Sequence, residues 1–167
     1  MSYRNKIYVA FDADEDIRYY RLMQAWKSHS GDKFNFHDAH DINNLMPTSS
    51  ELTIKTKLRE RLKNTKLFIL LVGSKTRNLH KFVRWEIEQA IGLDIPITVV
   101  NLNGMREIDP EFCPPIIRNE LAIHVSFHKS IIAYAMGNWP QRYHQSKING
   151  EVGPYYYPES VYTNLGL

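Results

Sequence analysis

Cysteine is almost absent from this 167-residue chain. Cys113 stands alone, so no disulfide can close within the chain, which points to a reducing, cytoplasmic setting. A strong charge bias is missing too. The net charge of +3 gives no basic excess of the kind that argues for nucleic acid. No apolar run approaches the ~18 residues of a membrane span. The opening MSYRNKIYVAF has two basic residues but too short an apolar stretch for a signal peptide. Internal repeats and low-complexity blocks are lacking. What remains, 43% hydrophobic and 23% charged residues, is the composition of an ordinary globular domain long enough to bury a core.

The chain alternates between two periodicities. Lys6–Phe11 is a short β-rich run, and Asp14–Lys27 has helical spacing. Phe34–His37 alternates as a short strand. Ser50–Lys63 is an amphipathic helix that Ser49 or Ser50 can cap. Leu67–Val72 (LFILLV) is a continuous apolar run ended by Gly73, the mark of a strand buried on both faces. A helix over about 79–92, an apolar strand at Ile95–Val100, a strand at Ala122–Phe127 and a final helix at Lys129–Met136 follow. This order predicts an α/β domain whose five-stranded parallel sheet is covered on both faces, a flavodoxin-like doubly wound fold with strand order 2-1-3-4-5. The predicted domain spans residues 1–138. Residues 139–167 have no period and five tyrosines, and read as an irregular Tyr- and Pro-rich tail.

In such folds ligands sit beyond the carboxyl ends of the strands. The loops there are Asp12–Asp16, Asp38–Asn44 and Gly73–Asn78. What they lack excludes several functions. A phosphoacceptor receiver needs an Asp and a Lys where Gly73 and Ser126–His128 stand. A dinucleotide fingerprint needs glycines after strand 1, and none is there. Gly73-Ser74-Lys75-Thr76 fails as a phosphate loop, because Ser74 and Leu70 occupy the places of its glycines. The acidic loop after strand 1 would repel a flavin phosphate. His37-Asp38-Ala39-His40-Asp41 offers metal-ligand types, yet no further ligands are recognisable, and Asp and Asn in such loops make local turns. No metal is expected. Cys113 beside two prolines reads as a loop residue without a paired base.

One carboxylate stands out. In Lys81–Ile91 (KFVRWEIEQAI), Phe82, Val83, Ile87, Ala90 and Ile91 form an apolar helical face, and Glu86 falls inside it. The bland reading is a buried carboxylate paired with a cation from a neighbouring helix. The sharper one is a cleft carboxylate that stabilises a developing positive charge, such as the oxocarbenium ion formed when a glycosidic bond breaks.

These residues carry a resemblance over about residues 5–137. Ile7–Asp12, Leu67–Ser74 and, most specifically, Phe82-Val83-Arg84-Trp85-Glu86 resemble the TIR-like family, closest to the TIR-like subunit of bacterial Thoeris antiphage defence. Phe82 stands in place of the family's tryptophan, and Ala10 in place of its strand-1 serine. The resemblance implies an enzyme with NAD as substrate and no separate cofactor. Glu86 would be catalytic. Phe11 and Asp12 would line the nicotinamide side, and Phe82 would offer an aromatic face. On charge alone, the 74–77 loop, Ser74 to Arg77, would turn Lys75 and Arg77 to the pyrophosphate. Products would be ADP-ribose or a cyclic isomer acting as a signal to a separate effector. Self-association is implied as well; nucleic acid and membrane are not. Two alternatives stay open: a non-catalytic TIR-like adaptor, and a nucleoside deoxyribosyltransferase-like enzyme in which Asp12 or Asp38 pairs with the glutamate.

Overall fold

A computed structural model describes residues 7–30, 36, 50–79 and 82–167. Its central element is the apolar run foreseen in the sequence, β2 (Leu67–Val72), in which all six residues are buried. β1 (Ile7–Ala10) pairs with one edge of β2, and β3 (Ile97–Asn101) with the other. β4 (Ala122–Ser126) pairs with β3, and every pairing is parallel. Parallel neighbours need crossovers, and here these cover both faces.

Register sorts the side chains into two layers. Ile7, Val9, Ile69, Leu71, Val100, Ile123 and Val125 point to face one. Tyr8, Ala10, Phe68, Leu70, Val72, Ile97 and Val99 point to face two. Helix α1 (Ile17–Ser30) covers face one with Tyr20 and Met23. Helices α2 (Glu51–Lys63) and α3 (Val83–Gly92) cover face two with Leu58, Leu62, Val83, Ile87 and Ala90. Ser50 caps α2, its hydroxyl accepting the Thr53 N–H at 3.2 Å, as the sequence suggested.

One expectation lies outside the described residues and another needs correction. The strand expected at 34–37 lies outside the described residues except for Phe36, which is 1% exposed and packs against Tyr20. Among the described residues the five strands run in the order 1-2-3-4-5, not 2-1-3-4-5. The fifth strand comes from the segment expected to be irregular: β5 (Pro154–Tyr156) pairs with Ala122–His124. It has three residues and opens on a proline, so it carries no alternation to read. Its state is decided by the neighbour it pairs with.

The rest of residues 139–167 is equally ordered. Helix α4 (Lys129–Ile148) crosses position 138/139 unbroken and runs twelve residues beyond the expected end at Met136, past Gly137 and Pro140, which are local helix breakers. Burial overrides them: Trp139 is 1% and Tyr143 5% exposed, and Pro140 is buried too. Helix α5 (Glu159–Asn164) places Tyr162 at 0% exposure in the face-one core, with the Arg106 guanidinium 4.2 Å from its ring centre. This segment therefore supplies part of the core. Tyr162→Ala is expected to lower stability by about 3 kcal/mol or more, the range for truncating a buried aromatic. Urea unfolding checks this, and a loss below ~1 kcal/mol would mean the segment is packed only loosely.

Candidate functional site

The carboxyl ends of β1 and β2 bring together two loops that the sequence holds about 60 residues apart. Asp12 is 4% exposed, and its Oδ1 accepts the N–H groups of Asp14 (3.0 Å) and Glu15 (3.4 Å). It organises the turn into α1, which is the local work Asp does well. The Lys75 ammonium meets Glu15 at 2.6 Å, an exposed pair of small energetic worth. Lys75 is therefore already engaged with a carboxylate. Ser74 is exposed beside it.

Between these loops lies a contact that the sequence did not announce. The Asp16 carboxylate lies directly over Gly73. A Cβ at that glycine would meet Asp16 Oδ2 at 2.4 Å and Oδ1 at 2.6 Å. A side chain at Gly73 would have to push the Asp16 carboxylate aside, and the Gly73 N–H is taken by the Thr76 hydroxyl at 2.9 Å. Asp16 is 7% exposed, and burial, then the nearby Asp12 and Glu15 charges, push its carboxyl up to about 6.

Glu86 sits in the first turn of α3, its N–H donating to the Phe82 carbonyl at 2.8 Å. It lies on the buried side with Val83, Ile87 and Ala90, as the apolar stripe predicted, and is 5% exposed. The Tyr8 hydroxyl of β1 donates to its carboxylate. Tyr8 is 2% exposed and stacks on Phe68 with ring centres 5.5 Å apart. Burial pushes the Glu86 carboxyl up to about 7, and the Tyr8 hydrogen bond opposes that rise. The Tyr8 phenol is itself held well above its ordinary value by burial and by the Glu86 charge. The partner of this carboxylate is a phenol and not the cation that the bland reading supposed.

The expected site residues are thus divided. Phe82 and Glu86 lie one turn apart at the start of α3, with Phe82 half-buried against the face-two core. Asp12, Ser74 and Lys75 gather at the strand ends. Phe11 is 7% exposed on face one, stacked on Tyr20 at 4.6 Å, whereas Glu86 and Tyr8 lie on face two. Tyr8 was overlooked in the sequence. Its signal was there: a tyrosine in a strand covered on both faces needs a partner for its hydroxyl.

Other reactive side chains are quiet. Burial pushes the Cys113 thiol up to about 11 and holds His124 down to about 4. No group of three or more potential metal ligands occurs among the described residues, and residues 37–41 lie outside them.

The family model for the TIR-like domain of the Thoeris protein ThsB matches residues 8–107, more than half of the chain. The chain belongs to that family. The match opens on Tyr8 and contains Gly73, Phe82 and Glu86, so both buried carboxylate environments lie within the TIR-like region. The residues that follow it, from β4 through α5, supply side chains to the face-one core.

Two outcomes follow for the TIR-like domain. Glu86 holds its proton in the native state up to about pH 7, whereas an unfolded chain releases it near 4.5. The native state then binds more protons between those values, so stability falls as pH rises through that window, by about 3 kcal/mol at most. Glu86→Gln should flatten this slope and be the more stable protein at pH 8, as read by urea unfolding at several pH values. Equal slopes in the two proteins would refute the assignment. Gly73→Ala should destabilise by about 1–3 kcal/mol through overpacking, and much less in an Asp16→Ala background, as a double-mutant cycle would show.

Proposed function

We propose that this TIR-like chain cleaves NAD at the bond between nicotinamide and ribose, with Glu86 as the catalytic carboxylate. The observation that carries the reading is a nearly sealed carboxylate, in the family-matched region, whose partner is a neutral phenol. Once ionised, above about pH 7, such a carboxylate can balance a cation, and active sites are where such costly groups collect. The faces covered by α1 and by α2 support the flavodoxin-like, doubly wound reading of the fold, with ligand beyond the strand ends.

In this mechanism the glycosidic C–N bond breaks and its electron pair leaves on the nicotinamide nitrogen. The ribose carbon becomes part of an oxocarbenium ion, and ionised Glu86 stabilises it. Water adds to that carbon and loses a proton to give ADP-ribose, or a nucleophile of the same molecule adds to give a cyclic isomer. Phe82 offers its ring to the substrate, and Asp12, Ser74 and Lys75 border it at the strand ends; Lys75 must then exchange Glu15 for the pyrophosphate. Phe11 supports this wall from the core. Glu86 is closed to a dinucleotide at 5% exposure, so the first turn of α3 has to open. Self-association through TIR-like surfaces is the step we assign to that opening. On this reading the product is a signal to a separate effector in antiphage defence, in the cytoplasm.

A specific observation favours a second reading, the non-catalytic adaptor: Glu86 is buried, and in a scaffold its pair with Tyr8 would simply join β1 to α3. The experiment separates the two. Concentrated protein is incubated with NAD, nicotinamide release is followed, and products are weighed by mass spectrometry. Glu86→Gln should lose roughly a hundredfold or more of the rate, as expected for removing the main charge stabiliser. Because the ionised form is the active one, the rate should rise with pH through about 7. Release that survives Glu86→Gln sinks the role given to Glu86. No release with NAD at any protein concentration favours the adaptor, and nucleoside cleavage without NAD cleavage favours the deoxyribosyltransferase-like alternative.

A further inference from the structure

The start of α3 borders a groove of about 340 Å³. Val83 and Ile87 form one wall, and Pro114 and Ile116, from the turn before β4, form the other. Arg77 and Arg84 stand in its lining. Glu86 does not line it, because its carboxylate is committed to Tyr8. Small-molecule sites span roughly 300–1,000 Å³ and combine apolar walls with a few polar groups. This groove matches that pattern at the small end of the range.

Its polar groups have one sign. Arg77 donates to the Glu111 carbonyl at 2.6 Å, a contact with a neutral group that leaves its charge uncancelled. Arg84 bonds Glu88 at 3.1 Å through Nε, with both side chains about half exposed. Each guanidinium carries five N–H donors, so both retain donors for another acceptor. Guanidinium forks fit phosphate oxygens in pairs. Exposed Pro115 and half-buried Ile116 offer apolar contact to a ring. An uncharged apolar ligand would leave the Arg77 charge and the spare Arg84 donors unused, and a volume of this size is short for a peptide segment.

We infer that this groove is a second small-molecule site, which takes a planar ring carrying a phosphate, of the size of a nucleoside monophosphate. It is separate from the Glu86 site and does not depend on NAD cleavage. Val83 and Ile87 flank Glu86 on the same helix, so an occupant would press on the turn that holds the carboxylate.

Methyl NMR of the full chain tests this, with AMP, adenosine and inorganic phosphate as probes. AMP should move the methyl signals of Val83, Ile87 and Ile116. Adenosine and phosphate alone should bind about tenfold more weakly or worse, since each lacks half of the recognition. The double variant Arg77→Ala/Arg84→Ala should weaken AMP binding by about tenfold or more. Ile116→Trp should fill the groove and abolish the shifts, while Val9 and Ile131 on face one keep their positions and report an intact fold. The inference is overturned if AMP leaves Val83 and Ile87 unmoved, if it acts first around Tyr8 and Phe82, or if it binds the double arginine variant as well as the parent. Nicotinamide release is a separate readout, so failure of the NAD reading and failure of this one are distinguishable.

Discussion

Leu67–Val72 is buried on both faces along its whole length, and that two-sided burial constrains everything around it. Each buried apolar side chain contributes about 1.5–3 kcal/mol relative to exposure, so neither face of the strand can be left to water. The crossovers must therefore cover both sides, with α1, α4 and α5 on one and α2 and α3 on the other. Because the strands are parallel, the loops that follow them gather at one edge of the sheet. That is how Glu15 comes to meet Lys75, and how Asp16 comes to lie on Gly73.

The same layering explains the Tyr8–Glu86 pair. Glu86 faces the sheet because its helix must present Val83, Ile87 and Ala90 there, and a carboxylate at that angular position is left 5% exposed. A lone buried charge is costly, and a buried ion pair recovers that cost only with good geometry. The chain uses a phenol instead. The hydroxyl satisfies an oxygen and favours the ionised form, but burial outweighs it and pushes the carboxyl up to about 7. Membership in the Thoeris ThsB TIR-like family spans β1 to β3 and so covers both members of the pair, whereas the closing of face one by Trp139, Tyr143 and Tyr162 lies beyond the matched residues.

Legibility followed the strength of local patterns. LFILLV was readable because six apolar residues before a glycine have few other uses, and Ser50 because a cap is a short-range hydrogen bond. β5 was unreadable: three residues led by a proline carry no period, and only β4 beside them makes them a strand. Helix α4 was cut short because Gly137 and Pro140 are local stop signals that tertiary burial of Trp139 and Tyr143 outweighs. Phe11 and Tyr8 show the limit most clearly. Alternation puts them on opposite faces, but nothing local says which face α3 will cover.

The sequence by itself determined the class of the fold, the buried stripe of α3 with Glu86 inside it, and the family to which the chain belongs. These depend on periodicity and on motifs a few residues long. Tertiary structure alone decided the order of the sheet at its β5 edge, the phenol that holds Glu86, and the carboxylate that reserves Gly73 for glycine. Each joins elements far apart in the chain. Partners of that kind are chosen by which faces the layers bury together, and that choice is made only when the whole sheet is assembled.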